Sequence, residues 1–365
     1  MAPVIGALRA TKRFEVRVAV TAQHREMLDQ VLQFVGIDPD IDLDLMQRDQ
    51  RLDTLAARIV TRFGEVLDAE QPDRVLVHGD TLTSMMATLA SYFRRIPVGH
   101  VEAGLRSGNL SAPWPEEGNR RITSAIADLH FAPTQTAAHA LLKENVDESC
   151  VHVVGNTVID SLLDTRRKIA ADPMLSPTVT SLKERFAGRR IICLTAHRRE
   201  NHGEGIRQIA AAICRLSDRS DIAVAYPVHR NPRVMEDACP LLENRPNVAL
   251  LPPLDYPEFV ALMEASHVIL TDSGGVQEEA PSLGKPVLVM RGATERPEGV
   301  EAGTALLVGA NADRIFAEMV RLLDDPAAYA AMAKARNPYG DGKAAGRIAD
   351  ILTRVHFPSI RSTGA

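Results

Sequence analysis

Short apolar runs alternate with longer amphipathic stretches along almost the whole chain. Strands that are buried on both faces are apolar throughout, whereas a surface helix repeats apolar residues every third or fourth position. The apolar runs predict strands at 15–20, 74–78, 98–101, 129–132, 151–154, 190–196, 223–228, 248–251, 267–271, 286–290 and 305–308. The amphipathic stretches predict helices at 2–11, 23–35, 52–69, 206–217 and 312–323. This alternation indicates βαβ units and parallel sheets covered by helices.

The strands form two series, and Pro173 and Pro177 interrupt regular structure between them. We therefore predict an N-terminal Rossmann-like domain over residues 1–172 and a C-terminal one over residues 173–338. A C-terminal helix within 339–357 is expected to pack back on the N-terminal domain, and 358–365 to form a tail. The two domains are expected to face each other across a cleft, because open α/β sheets bind ligands at the carboxyl ends of their strands.

Composition excludes several classes of function. The 365 residues suit two domains, and a net charge of -5 without a block of basic residues argues against nucleic-acid binding. No apolar run approaches the roughly 18–20 residues that span a bilayer, and no signal peptide is evident, so a cytoplasmic location is expected. The four cysteines and eleven histidines lack ligand spacing, so no metal is expected. No Gly-x-Gly-x-x-Gly follows a first strand and no Walker A motif is present, so no cofactor is expected.

Acidic residues follow the strands of the first series. Asp80 lies in His78-Gly79-Asp80-Thr81, Glu102 follows the next strand, and Glu116 and Glu117 begin a helix. Such positions lie at the carboxyl edge of a parallel sheet, where carboxylates can act as general acids and bases. Two alternatives stay open: Asp80 caps the helix that follows it, and the two glutamates only complement a helix dipole.

The second series carries candidates for binding an anion. His197 and Arg198 follow one strand, and another strand runs into Ser273-Gly274-Gly275 and a helix that contains Glu279. Glycines allow the backbone to approach a diphosphate closely, and Glu279 can accept hydrogen bonds from ribose hydroxyls. The alternatives are a solvated basic turn at His197 and an ordinary glycine turn followed by a surface glutamate.

Several longer segments closely resemble bacterial non-hydrolysing UDP-N-acetylglucosamine 2-epimerases, and the resemblance runs from Met1 to about Leu352. The segments are 21–28 (TAQHREML), 78–81 (HGDT), 97–106 (PVGHVEAGLR), 111–120 (SAPWPEEGNR), 195–200 (TAHRRE), 272–291 and 337–342 (NPYGDG). The resemblance implies a two-domain glycosyltransferase-B fold and a cytoplasmic homodimer. It also implies reversible epimerisation at C2 of UDP-N-acetylglucosamine to UDP-N-acetylmannosamine, by elimination and re-addition of UDP, which supplies N-acetylmannosamine for envelope polysaccharides.

The resemblance also implies roles for individual residues. The positions that match catalytic residues are Asp80, Glu102, Glu116 and His197. The positions that match UDP-binding residues are His197, Phe259, Ser273, Gly274, Gly275, Glu279 and Arg296. A second UDP-N-acetylglucosamine molecule regulates bacterial members, and the positions that fall near its site are Gln23, His24, Glu117, Arg198 and His229. No metal is implied.

The chain departs from the family pattern at its start. Family members begin with a strand and a Gly-Thr-Arg-Pro-Glu loop that contacts the diphosphate, whereas Met1 aligns within the helix after that loop. Either the start is assigned late or the first sheet strand and part of the phosphate site are missing. A sheet without an interior strand leaves backbone groups unpaired, so low stability or activity is expected, with upstream extension restoring both.

Three other functions compete with this interpretation. A hydrolysing epimerase would release free UDP and N-acetylmannosamine, and a sugar transferase would require an acceptor substrate. A nucleotide-sugar-binding protein without catalysis would bind UDP-N-acetylglucosamine without turnover. The reaction products distinguish all three from the reversible epimerase.

Overall fold

The protein is described by a computed structural model, which covers residues 1–21, 25–45, 50–228 and 231–355. The chain divides into an N-terminal unit, formed by Met1–Asp160 with Gly342–Ala365, and a C-terminal unit, Ser161–Asp341. The division falls within the helix Thr157–Ala171, earlier in the chain than the boundary after Asp172 that the sequence predicts. The expected tail, 358–365, lies outside the described residues.

The first half of the chain alternates helices and short strands. In order these are α1 (Ala2–Thr11), β1 (Ala19–Val20), α2 (Arg25–Val35), β2 (Ile41–Asp42), α3 (Leu52–Glu70), β3 (Val75–His78), α4 (Leu82–Tyr92), β4 (Val98–Val101), α5 (Glu116–Ile126), β5 (Leu129–Ala132), α6 (Gln135–Lys143), β6 (Val151–Val153) and α7 (Thr157–Ala171). Strands β3, β4, β5 and β6 form a parallel sheet in that order, and β1 pairs with β2 in a separate parallel sheet. The predicted strand at 15–20 is shorter than expected, and β2 was not predicted.

The second half continues the alternation. Its elements are α8 (Pro177–Arg185), β7 (Arg190–Thr195), α9 (Glu204–Leu216), β8 (Ile222–Pro227), α10 (Pro232–Leu242), β9 (Val248–Leu251), α11 (Tyr256–Ala265), β10 (Ser266–Thr271), α12 (Gly274–Glu279), β11 (Val287–Val289), α13 (Pro297–Glu301), β12 (Ala305–Leu307), α14 (Ala312–Asp324), α15 (Pro326–Ala333) and α16 (Ala344–Arg354). The parallel sheet of the C-terminal unit has the order β12-β11-β10-β7-β8-β9. The strand order therefore reverses between β7 and β10, which is where doubly wound sheets bind ligands.

Strand β7 shows why this sheet is buried on both faces. Ile192 and Leu194 point into one apolar cluster with α9, α10 and α14, while Ile191 and Cys193 point into a second cluster with α8 and α11. Successive side chains of a strand alternate between faces, so a strand with helices on both sides must be apolar at every position. This packing holds the carboxyl end of β7 in a fixed place.

The last helix, α16, belongs to the N-terminal unit. Its residues Ile348 and Leu352 pack with Val4 and Leu8 of α1. The Asp160 carboxylate accepts hydrogen bonds from the backbone N–H groups of Ala344 and Ala345, at 3.2 and 2.9 Å, and so satisfies the start of α16. Across the described ranges, no helix combines the length and apolarity that crossing a membrane requires.

Candidate functional site

In the N-terminal unit, Asp80 is held by an arginine from a neighbouring helix. The Asp80 Oδ2 atom accepts from Arg120 Nε at 3.0 Å and from a terminal nitrogen of Arg120 at 2.7 Å. Asn119 Nδ2 donates to the Asp80 backbone oxygen at 2.8 Å. Thr81 is the N-cap of α4 and accepts from the Ser84 N–H, so the capping alternative for Asp80 is wrong. The Asp80 carboxylate is instead held by the Arg120 guanidinium.

Glu102 directly follows β4. This strand pairs with β3, the strand that precedes Asp80. The backbone of Glu102 has a φ of 64°, and the Oε2 atom of this residue is 3.6 Å from His78 Nε2. Asn156 Nδ2 donates to Glu102 Oε1 at 3.2 Å. A Cβ on Gly79 would lie 3.3 Å from Glu102 Oε2, and Gly79 has a φ of +69°, so glycine lets the carboxylate lie directly over this turn. Asp80 and Glu102 therefore share one edge of the sheet.

Two histidines beneath this edge are neutral. Burial lowers the pKa of His78 to about 3, with a further lowering by the chain's amino group and an opposing effect of Asp80. Burial also lowers the pKa of His100 to about 3, and its Nε2 atom is 2.8 Å from the Gly79 backbone oxygen. These side chains can therefore donate or accept hydrogen bonds near the carboxylates without adding charge.

Glu116 and Glu117 begin α5 but have different surroundings. The Glu116 Oε2 atom is buried and has no hydrogen-bond partner among the described residues. Glu117 is fully buried and accepts from the Ser107 N–H at 2.9 Å, from Arg121 at 3.2 Å and from Arg120 at 3.3 Å. Burial raises the pKa of Glu117, but these donors outweigh it and leave the pKa below its usual value. Arg120 thus joins Asp80 to Glu117.

In the C-terminal unit, the ends of β7 and β10 carry the second group of candidates. The Thr195 and Thr271 hydroxyls lie 2.6 Å apart across these strands. Asp272 follows β10, is completely buried, and accepts from the backbone N–H groups of His197 and Arg198, each at 2.9 Å. A buried carboxylate therefore fixes the backbone of His197 and Arg198 at the end of β7.

The Ser273-Gly274-Gly275 turn begins α12 and is open on one side. A Cβ on Gly275 would meet nothing within 4 Å among the described residues, and one on Gly274 would lie 3.7 Å from the Arg198 guanidinium. The Arg198 Nε atom is buried and has no hydrogen-bond partner in the described part of the chain. Backbone N–H groups without side chains beside a guanidinium suit a phosphate.

The remaining candidates of the C-terminal unit are Glu279, Arg296 and Phe259. Glu279 is 6% exposed, so it is not the surface residue of the alternative interpretation, and it accepts from the Tyr256 hydroxyl at 2.6 Å. Arg296 donates to buried Glu278. Phe259, on α11, is half-buried against the apolar cluster beneath the sheet. No cluster of three or more His, Cys, Asp or Glu side chains suited to a metal occurs in the described ranges.

Comparison with known proteins decides the family. The family model described as UDP-N-acetylglucosamine 2-epimerase matches residues 6–353. The chain belongs to this epimerase family. It is 50% identical to the UDP-N-acetylglucosamine 2-epimerase of Yersinia pestis and 49% identical to that of Escherichia coli K12, covering 96% of this chain and 94% of each relative.

A solved structure of the epimerase family supports the fold. The crystal structure of UDP-GlcNAc 2-epimerase from Neisseria meningitidis bound to UDP-GlcNAc has a TM-score of 0.88 and 45% identity, covering 97% of this chain and 96% of that chain. The expectation of an α/β protein with parallel sheets in two Rossmann-like parts is confirmed, and so is the resemblance to the family.

Sequence reasoning about the epimerase site missed three positions. Arg120, Tyr256 and Asp272 received no role, although each contacts a residue that did. Only for Asp272 did the sequence carry a usable signal: it is an acid directly after a strand, at the turn that also contains Ser273. The positions Gln23, His24 and His229 lie outside the described residues.

The raised pKa of buried Glu279 should make the stability of the epimerase depend on pH. Burial raises its pKa from 4.5 to about 7. The hydrogen bond from Tyr256 lowers the pKa by a smaller amount, and repulsion from Glu278 raises it further. Between these values the folded chain keeps a proton that the unfolded chain has released, so stability falls as pH rises through this window. Glu279→Gln should therefore be more stable than wild type at pH 8, by about 2 kcal/mol, and gain little at pH 4.

Urea unfolding of wild type and Glu279→Gln at both pH values measures this difference. Glu236→Gln, at an exposed position on α10, is the control and should change stability equally little at either pH. An equal gain for Glu279→Gln at pH 4 and pH 8 would contradict the pKa argument.

Proposed function

We propose that this chain interconverts UDP-N-acetylglucosamine and UDP-N-acetylmannosamine without net hydrolysis. The N-terminal unit supplies the carboxylates for proton transfer, and the C-terminal unit supplies the groups that bind UDP. The observation that carries this proposal is the pair of carboxylates, Asp80 and Glu102, at neighbouring strand ends, since the overall reaction requires removal and return of a proton.

The chemistry explains why proton removal alone is insufficient. The hydrogen on C2 is next to an amide nitrogen and not a carbonyl group, so it is barely acidic. When the bond between C1 and the UDP oxygen breaks, the electron pair leaves with UDP and C1 gains cationic character. A carboxylate then removes the C2 proton, and a C1–C2 double bond forms. Re-addition of UDP to C1, with a proton delivered to the other face of C2, gives the epimer.

Each candidate residue has a role in this scheme. Asp80, Glu102 and Glu116 exchange the proton, and His197 stabilises the departing diphosphate. The UDP-binding group adds contacts to phosphate, ribose and uracil and consists of Phe259, Ser273, Gly274, Gly275, Glu279 and Arg296. The buried Glu116 Oε2 atom supports its role, because no described residue forms a hydrogen bond with it and such an atom can bind a hydroxyl or accept a proton.

The proposal extends to assembly and regulation. The enzyme acts as a cytoplasmic homodimer that supplies N-acetylmannosamine units for envelope polysaccharides. A second UDP-N-acetylglucosamine molecule activates it through Gln23, His24, Glu117, Arg198 and His229. The Arg198 Nε atom has no hydrogen-bond partner within the described ranges, which supports a role for this side chain in binding a nucleotide sugar.

Proton NMR with UDP-N-acetylglucosamine tests the reaction in the purified chain and in the chain extended upstream, for which the higher activity is expected. A growing manno-configured anomeric signal is expected, and in deuterated water C2 should gain deuterium. Accumulation of free UDP with N-acetylmannosamine would indicate a hydrolysing epimerase instead. Absence of an epimer would contradict the proposal: turnover on addition of an acceptor would then indicate a transferase, and binding of UDP-N-acetylglucosamine without turnover would indicate a binding protein. An epimer without C2 labelling would rule out the elimination route.

Gly275→Ala should weaken UDP binding on the order of tenfold, because a methyl group would occupy the open side of the turn where phosphate must approach. Isothermal titration calorimetry with UDP measures this loss, and the thermal midpoint should change little because no described residue lies near the added atom. Gly346→Ala, on α16, is the control: its added Cβ also meets nothing within 4 Å among the described residues, and UDP affinity should be unchanged. Equal UDP affinity in both variants and wild type would contradict phosphate binding at Gly275.

A further inference from the structure

The carboxylate of Asp272 is fixed in one orientation behind His197. Its Oδ2 atom accepts three hydrogen bonds, from the His197 and Arg198 N–H groups at 2.9 Å and from Asn201 Nδ2 at 3.0 Å. Asp272 is completely buried, and Asn201 is 4% exposed and also donates to the Met290 backbone oxygen. Because three donors converge on one oxygen, the carboxylate cannot rotate without losing them.

The other oxygen, Oδ1, faces the imidazole of His197. It is 3.4 Å from His197 Nδ1, and it is buried without a hydrogen bond from any described residue. A buried carboxylate oxygen without a donor is costly, so a proton on His197 Nδ1 is strongly favoured. The His197 side chain is 38% exposed, so the ring also has a face open to a ligand.

We propose that Asp272 is a positioning residue that keeps His197 protonated on Nδ1 and directs the Nε2–H group to the diphosphate of the substrate. This inference rests on the function proposed above. A neighbouring buried carboxylate favours the doubly protonated, cationic imidazole, and both of its nitrogens are donors. Its Nε2–H group stabilises the negative charge that develops on the phosphate oxygen as the bond to C1 breaks, and no proton needs to move in that step.

The test variant is Asp272→Asn, which preserves shape. The three donors retain the amide oxygen at the Oδ2 position, so the amide NH2 group must face His197 Nδ1. The imidazole nitrogen then has to accept a hydrogen bond, which leaves a neutral ring with its proton on Nε2. We expect kcat to fall on the order of 10²-fold, because the ring keeps its Nε2–H donor but loses the positive charge that stabilises the departing diphosphate. UDP affinity should fall less than about tenfold.

A spectroscopic readout separates this role from a purely structural one. In nitrogen-15 NMR of the UDP complex, both ring nitrogens of His197 should carry protons in wild type, and only Nε2 in Asp272→Asn. The matched control is Asn201→Ala, which removes one donor to Oδ2 but keeps the carboxylate facing the ring. It should keep the wild-type imidazole spectrum and a kcat within about fivefold of wild type. An equal kcat loss in the control would overturn the proposal.

A double variant closes the test. In a His197→Asn background, Asp272→Asn should lower kcat no further, because its effect acts through the missing ring. A full additional loss there, or an unchanged His197 spectrum in Asp272→Asn, would overturn the proposal. The spectra show whether Asp272 sets the protonation of His197 even if the wild-type chain shows no epimerisation. Absence of epimerisation would contradict the proposed function and not this inference.

Discussion

Asp80→Asn should lower kcat for epimerisation by a factor on the order of 10³, within the range that general acid–base groups contribute. Asparagine can still accept the two hydrogen bonds from Arg120 through its oxygen, so the local structure should persist. It cannot take a proton from C2 or return one. Deuterium incorporation at C2 should slow in parallel with turnover, because both depend on the same proton transfer. NMR in deuterated water measures both rates in one sample.

The control for this variant is a second arginine–aspartate pair in the same unit. Asp128 accepts from Arg74 at 2.5 and 2.8 Å and lies just before β5, at the amino-terminal end of the sheet. Asp128→Asn should leave kcat within about twofold, because substitutions away from a site seldom affect its chemistry. UDP affinity should be close to wild type in both variants. A wild-type kcat in Asp80→Asn would remove Asp80 from the mechanism.

The regular elements could be predicted from sequence because their burial is uniform. Strand β7 is apolar at Ile191 through Leu194 since helices cover both of its faces, and such a run has few other interpretations. The pair Ile41–Asp42 could not be recognised, because two residues are too few for any periodicity. The early boundary of the C-terminal unit, at Ser161, also depends on contacts that no local pattern encodes.

The candidate site was only partly predictable, because its residues are held by partners from distant parts of the chain. Acids after strands, such as Asp80 and Glu102, follow from the rule that parallel strands end at a common edge. The partners of these acids come from distant segments: Arg120 is forty residues from Asp80, and Asp272 is 75 residues from His197. Local sequence patterns cannot identify contacts between residues so far apart in the chain, and only the folded sheet brings these residues together.

Arg120→Gln should have the largest effect on stability, because it breaks a buried network that also holds Asp80. Glu117 is fully buried and, of its donors in the described part of the chain, would keep the Ser107 N–H and Arg121. Removing one partner of a buried ion pair typically costs about 3–5 kcal/mol, and the loss should be near the lower value because Arg121 remains. Urea unfolding at pH 7 measures it. Since pairing lowers the Glu117 pKa, the loss should shrink as pH falls below 4.5 and Glu117 becomes protonated.

The double variant Arg120→Gln/Glu117→Gln separates stability from catalysis. It removes the buried charge, so most of the lost stability should return. Both variants lack the two hydrogen bonds from Arg120 to Asp80 Oδ2, so kcat should be low in Arg120→Gln and should stay low in the double variant. Arg121→Gln is the matched control: it removes a half-exposed contact of Glu117 without touching Asp80, and should cost about 1 kcal/mol with kcat unchanged. If kcat recovered together with stability in the double variant, Arg120 would serve only the fold, and Asp80 would need no arginine to act.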